Sequence, residues 1–280
     1  MKTMKKIIAI ISCAMMVLAC VGCAFAAAEI TVVSREAGSG TRSAFIELTG
    51  VEVKDENGAK SDMTYEDAVV QNGTAQVITT VKGDVNAIGY ISLGSMSDAV
   101  KAVSVDGIVP AEETILSGEY KIARPLNIAY KGELSKTAED FVAYILSEAG
   151  QEVVSANHYI KNEPAAYTAS AVAGKITIGG SSSVAPLMEK LAESYMALHQ
   201  DVTIELQVSD SSTGMRGALD GTFEIGMASR DLKQSELDDG LTPVTIALDG
   251  IAVIVNNDNP VTNLTIEEIR QIFTGEKTEW

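Results

Sequence analysis

A chain of 280 residues with a formal net charge of −17 presents a strongly acidic surface, which disfavours nucleic acid and anionic membranes as partners. With 46% hydrophobic residues it can bury a sizeable core. Any anion it binds must be held by local dipoles against the protein's own field.

Taken in chain order, the first segment reads as an export leader over residues 1–28. "MKTMKK" is a basic start, "IIAIISCAMMVLACVG" is apolar, and "AFAA" offers a cleavage site after Ala26. "VLAC" makes Cys20 a competing site for lipidation. The apolar run is short for a retained membrane anchor. The expected location is extracytoplasmic, in a periplasm or at a cell surface. All three cysteines, Cys13, Cys20 and Cys23, fall in this leader, so the rest of the chain has neither disulfide nor thiol chemistry. The leader also holds three lysines and no acids, which leaves −20 on the remainder. About 250 residues then remain, enough for two domains of ordinary size.

Beyond the leader, strand-like and helix-like runs alternate. The strand-like runs are "EITVV", "AIGYISL", "KAVSVDG", "LNIAY", "KITIGG", "VTIELQV", "EIGMAS" and "TPVTIALDGIAVIVN". The helix-like runs include "AEDFVAYILSEAGQEVV" and "VAPLMEKLAESYMALH", where Val184, Leu187, Met188, Leu191, Tyr195 and Leu198 share one face. "TIEEIRQIF" opens with Thr265 and places Glu268 three residues on, a capping box. "YTASAVAGK" is rich in small residues and reads as a linker. The alternation predicts an α/β fold with largely parallel sheets.

Four strand ends are rich in hydroxyls and glycine: "SREAGSGTR" (34–42), "IGGSSSVAP" (178–186), "VSDSSTGMR" (208–216) and "GMASRD" (226–231). Taken singly, each is an ordinary N-cap or Gly-Ser turn. Together they supply donors where ligands of α/β folds bind, beyond the carboxyl ends of strands. Glycine permits close backbone approach, a helix N-terminus carries free N–H groups, and hydroxyls donate without adding charge. Arg35 can add a bidentate charged pair. The pattern points to an anion.

Other chemistries fit less well. "AGSGTR" lacks the lysine and spacing of an NTPase phosphate loop. The two-residue spacing of a G-x-S-x-G elbow is absent around Ser39. The only histidines are His158, expected in a surface loop, and His199, expected as a solvated helix end. A secreted serine hydrolase using Ser39 or Ser183 therefore lacks a placed histidine. No His/Cys cluster points to a metal, and no cofactor is expected. Glu267 and Glu268 read as helix-start charges.

These residues resemble the phosphate-binding proteins that feed ABC phosphate transporters. "ITVVSREAGSGTRSAF" is similar to that family's second-lobe motif, and "ITIGGSSSVAPLMEKLAESY" to its usual N-terminal motif. Further similar stretches extend the likeness over nearly all of residues 29–280. The resemblance implies a type II clamshell, with each lobe a mixed, mostly parallel sheet flanked by helices. One lobe would comprise 29–124 plus 258–280, and the other 125–257. It implies a non-enzymatic, monomeric binding protein that closes on inorganic phosphate and delivers it to the membrane subunits of an ABC transporter. By motif position, Ser182, Ser183, the Val184 backbone N–H, Ser211 and Ser229 would meet phosphate from one lobe. Arg35, Ser39, Gly40 and Thr41 would meet it from the other.

Two departures from the family pattern stand out. Ser229 occupies a position where some members carry an aspartate, which puts discrimination against sulfate or molybdate in doubt. The order also differs: the family normally reaches "SREAGSGTR" after "IFTGEKTEW", whereas here it comes first. The chain reads as circularly permuted, or as the front of a longer tandem.

Overall fold

The structure, a computed structural model, describes residues 28–56 and 58–280. The expected leader, with Cys20, lies outside the described residues apart from its last residue. The chain opens with β1 (Thr31–Arg35) and α1 (Gly40–Thr49). A small antiparallel hairpin of β2 (Glu52–Lys54) and β3 (Lys60–Asp62) leads to β4 (Val69–Gln71), α2 (Thr74–Gly83) and β5 (Ala87–Ser92). Short strands β6 (Lys101–Ala102) and β7 (Ser104–Val105) and helix α3 (Glu112–Leu116) precede β8 (Ala123–Lys131). Next come α4 (Lys136–Leu146), α5 (Glu148–Ala156), β9 (Gly174–Ser181), α6 (Ala185–Leu198) and β10 (Val202–Ser209). The chain closes through α7 (Ser211–Asp220), β11 (Ile225–Ala228), α8 (Gln234–Asp238), β12 (Leu241–Val255), β13 (Asn263–Leu264) and α9 (Ile266–Phe273).

The fold is α/β, as the alternation predicts. The principal strands follow one path, β10-β9-β11-β8-β12-β5-β1-β4, with β6 also paired to β12. Strands β9, β10 and β11 are mutually parallel on one side, and β1, β4 and β5 on the other. Between them stand β8 and β12, two long antiparallel neighbours that join the halves. A bulge between Thr245 and Ala247 bends β12 within this pairing.

The cores divide along the same path. One gathers Leu126, Ile128, Phe141, Ile176, Leu191 and Ile246 among its buried members. Another gathers Val32, Phe45, Tyr90, Ile122, Val253 and Phe273, and a third packs α2 against the opposite face of β1 and β5 through Val33, Val77 and Ala252. Strand β12 thus contributes Ile246 and Ala247 to the first core and its second half to the other two. Because β5 is buried along its whole length, its sequence "AIGYIS" reads as an unbroken apolar run instead of alternating.

The structure changes two of the sequence expectations. "AEDFVAYILSEAGQEVV" is two helices, α4 and α5, broken at Ser147, which takes an extended conformation. Its hydroxyl accepts from the Gly150 N–H and so starts a new helix. His199 is not solvated. Its side chain is 8% exposed, stacks on Tyr195 and lies 3.7 Å from Asp140 Oδ2. By contrast His158 is exposed, and Thr265 and Glu268 form the expected capping box. Residues 166–173 form no helix or strand, in keeping with a linker.

The helix "TIEEIRQIF" packs in the same core as the strand that "EITVV" forms. Phe273 meets Phe45 edge-on at 4.7 Å, and Phe45 stacks on Tyr90 at 3.9 Å. Ile30 N donates to Thr278 O at 2.8 Å and Trp280 N to Ala28 O at 3.1 Å, so the two ends of the described chain lie side by side. Among the described residues no helix is long and apolar enough to cross a membrane.

Candidate functional site: a hydroxyl cluster between the two cores

Four junctions converge where β8 and β12 join the halves. At the end of β1, Ser34 Oγ lies 3.0 Å from Tyr90 OH, and the Arg35 N–H donates to the same oxygen at 3.2 Å. Burial pushes the Tyr90 hydroxyl's pKa up, with these two bonds opposing, so the phenol stays protonated and fixes the strand end. The backbone here aims Arg35 inward. The residue is 1% exposed, and its Nε and Nη2 grip the Glu36 carboxylate, each at 2.7 Å. Nη2 also reaches across to Ser182 Oγ at 3.1 Å, while Nη1 makes no hydrogen bond.

Ser39 caps α1 by accepting from the Arg42 N–H at 3.2 Å. The next residue must be glycine for lack of space. A Cβ on Gly40 would collide with the Ser211 hydroxyl and stand 2.9 Å from Ser229 Oγ. Thr41 then lies within 2.7 Å of Ser183 Oγ and 3.4 Å of Ser229 Oγ. From the other core, Ser181 Oγ donates to Ser229 Oγ at 2.9 Å, and Ser211 Oγ lies 3.5 Å from Ser229 Oγ. The hydroxyls of Ser181, Ser183, Ser211, Ser229 and Thr41 are all buried. Thr74 joins them at the start of α2, 3.3 Å from Ser183 Oγ and 3.5 Å from Ser182 Oγ. The N-termini of α1, α2 and α7 all open on this cluster, which adds their partial positive charge.

The carboxylates around the cluster are engaged elsewhere. Glu36 is held by Arg35. Asp210 caps α7 with both oxygens, accepting from Thr213 N–H at 2.9 Å and Thr213 Oγ1 at 2.7 Å. Glu236 chelates Arg230. The arrangement is therefore a pocket of hydrogen-bond donors with the guanidinium groups of Arg35 and Arg124 at its edge. It can hold a small oxyanion, and nothing in it resembles a nucleophile beside a base. A cleft of about 940 Å³, lined by Gly73, Thr74, Ser182 and Asp210 among others, adjoins it. Among the described residues no group of His, Cys, Asp and Glu could hold a metal ion.

Of the residues named from sequence, the cluster brings together Arg35, Gly40, Thr41, Ser182, Ser183, Ser211 and Ser229. Ser39 and Val184 stand just behind it. Ser39 acts as a helix cap, and the Val184 N–H closes a turn onto the Ser181 carbonyl at 3.0 Å. Sequence reasoning passed over Thr74, Ser181 and Arg124. Thr74 follows Asn72-Gly73, and Gly73 takes φ 117°, so the same glycine-hydroxyl signal was there behind a strand of only three residues. Arg124, whose Nη2 donates to Thr41 Oγ1 at 3.1 Å, was visible as a lone cation entering an apolar strand.

Comparison with known proteins shows the family. The PBP superfamily domain matches residues 23–149 and 165–280. Phosphate-binding protein PstS 2 of Streptococcus agalactiae serotype V is 49% identical over 253 residues, covering 90% of this chain and 86% of that protein. The crystal structure of a phosphate-binding protein of a phosphate ABC transporter from Streptococcus pneumoniae TIGR4 is 45% identical, with a TM-score of 0.70. It covers 90% of this chain and 98% of that one. Phosphate-binding protein PstS of Pseudomonas aeruginosa is 36% identical over 114 residues, 38% of this chain and 35% of that protein.

Proposed function

The chain belongs to the PBP superfamily and, within it, to the phosphate-binding proteins, and from that premise we propose that it captures inorganic phosphate outside the cytoplasm and delivers it to an ABC transporter. The observation that carries this reading is the buried cluster of hydroxyls from both cores, edged by Arg35. A dehydrated oxyanion there replaces hydroxyl–hydroxyl contacts with charge-assisted ones, which are roughly twice as strong. Arg35, Ser39, Gly40, Thr41, Ser182, Ser183, Val184, Ser211 and Ser229 are proposed as the phosphate site, with Thr74 added. The protein acts without catalysis, as a monomer, and its membrane partners recognise the closed form.

Core membership supports two lobes. The split is close to 29–124 plus 258–280 against 125–257, except that residues 251–255 of β12 share cores with the first lobe. The permuted order is part of the proposal. It is supported by matches that run nearly end to end with the streptococcal protein but over about a third of the Pseudomonas one, as a different motif order produces.

A second reading keeps the site and changes the anion. Ser229, where an aspartate would repel sulfate or molybdate, meets the hydroxyls of Ser181 and Ser211. Calorimetry of the ligand-stripped protein with phosphate, arsenate, sulfate and molybdate separates the two. Tight binding of phosphate and arsenate alone supports the first reading, equal binding of sulfate supports the second, and heat from none of them refutes both.

A further inference from the structure

The most deeply buried ion pair of the described residues lies outside the glycine-hydroxyl motifs. Arg124, on β8, and Asp249, its register partner on β12, are 2% and 0% exposed. Arg124 Nη2 stands 3.2 Å from Asp249 Oδ2 and donates to Thr41 Oγ1 at 3.1 Å. Its Nε and Nη1 make no hydrogen bond, so Thr41 and Asp249 are what fix the guanidinium. Burial lowers the Arg124 pKa and raises that of Asp249, and each partner opposes the other's shift.

An arginine only donates, so Thr41 Oγ1 must accept from it. The single hydrogen of Thr41 is then left to point at Ser183 or Ser229, into the cluster. The same polarity recurs around the rim. Ser182 Oγ accepts from Arg35 Nη2, Ser181 Oγ from the Ser183 N–H, and Ser211 Oγ from the Ser229 N–H. At each of these positions an outer donor turns a hydroxyl hydrogen inward. Arg124 differs in origin, because it comes from the strand pair that joins the two halves.

We propose that Arg124, anchored by Asp249, is a positioning residue that fixes the Thr41 hydroxyl as a hydrogen-bond donor to the bound oxyanion. The proposal rests on the reading of the hydroxyl cluster as an oxyanion site. It narrows the ligand to anions that present a bare acceptor oxygen to Thr41. A protonated oxygen at that point meets a hydrogen already directed at it. It also ties the site to the β8–β12 pair that joins the two halves.

The test is a double-mutant cycle read by calorimetry with inorganic phosphate. R124M/D249N removes the donor while keeping net charge and leaving no lone buried ion, which protects the fold. It should weaken phosphate about ten- to a hundredfold, the range for a hydrogen bond to a charged group. R124K, which still donates, should recover most of that loss. In a T41V background the paired replacement should cost less than about threefold, because the hydroxyl it positions is gone. Equal losses with and without Thr41, or wild-type affinity in R124M/D249N, overturn the inference. Should R124M/D249N fail to fold, the milder D249N, which releases the guanidinium from its anchor, makes the same comparison with and without T41V. A wild-type protein that fails to bind phosphate refutes the proposed function itself, and an additive cycle in a protein that binds it refutes only the role of Arg124.

Discussion

At the residue scale, the site depends on which donors carry charge. Arg35 is held by Glu36 and has one amino group to spare, so it approaches the cluster pre-oriented. A hydrogen bond to a charged partner contributes about 1.5–3 kcal/mol, and a neutral one about 0.5–1.5 kcal/mol. Arg35→Ala is therefore expected to weaken phosphate binding more than Ser211→Ala. Titration calorimetry checks this, and small equal losses from both would misplace the anion. Asp140 lies away from the site and shows the same logic acting on stability. Its burial alone would raise its carboxyl pKa, but bonds from Tyr195, Tyr167 and Ser170 together hold it below the ordinary value. A depressed folded-state pKa gives stability that is present above the unfolded value, about 3.9, and is lost as pH falls through the folded one. Thermal melts from neutral pH downward should therefore show the wild type losing stability below about pH 4 more steeply than Asp140→Asn. Much of the site was legible because glycine next to hydroxyls at a strand end is a local signal. The roles of Arg124 and Ser181 were not, because they come from contacts across 83 and 48 residues of sequence.

At the element scale, periodicity located the long helices and fully apolar strands but missed where caps overrule it. The apolar spacing continues through Ser147, and only the hydroxyl-to-Gly150 bond marks the break. Ser147 also donates to the Tyr144 carbonyl, so one side chain closes α4 and opens α5. Ser147→Ala should cost about 1 kcal/mol, the usual loss for an N-cap. Chemical denaturation should show a lower midpoint at unchanged slope, and an unaltered midpoint would mean the break is set by packing instead. The joining of both halves into one strand path was hidden for a different reason. "TPVTIALDGIAVIVN" reads as apolar throughout, and nothing local tells that Ile246 serves one core and Val253 another. Only the cross-strand register, with Asp249 opposite Arg124, fixes the crossing.

At the scale of the whole molecule, the order of the motifs is separable from the site they build. The residues flanking the described ends are hydrogen-bonded to one another, with Glu29 bridged to Glu279 and Trp280 N donating to Ala28 O. A short engineered loop can therefore span them without strain, and its closure differs little in entropy from that of the existing connections. The stretch 166–173 carries no regular structure and is largely exposed, which makes it a tolerated place for a new break. A break between Thr168 and Ala169 spares the bonds from Tyr167 and Ser170 to Asp140. A circularly permuted variant that begins at Ala169 and joins Trp280 to Glu29 would run "GGSSSVAP" before "SREAGSGTR". Since Arg35, Thr41, Ser183 and Ser229 keep every neighbour, it should bind phosphate within about threefold of the parent, a difference below 1 kcal/mol. Its melting temperature should fall by only a few degrees, as a surface change of about 1 kcal/mol does in a chain of this size. Calorimetry and melting of the two proteins side by side decide the matter. A permuted variant that folds but binds phosphate far more weakly would show that the site needs this particular order, and that closing around the anion depends on the segment 166–173 staying whole.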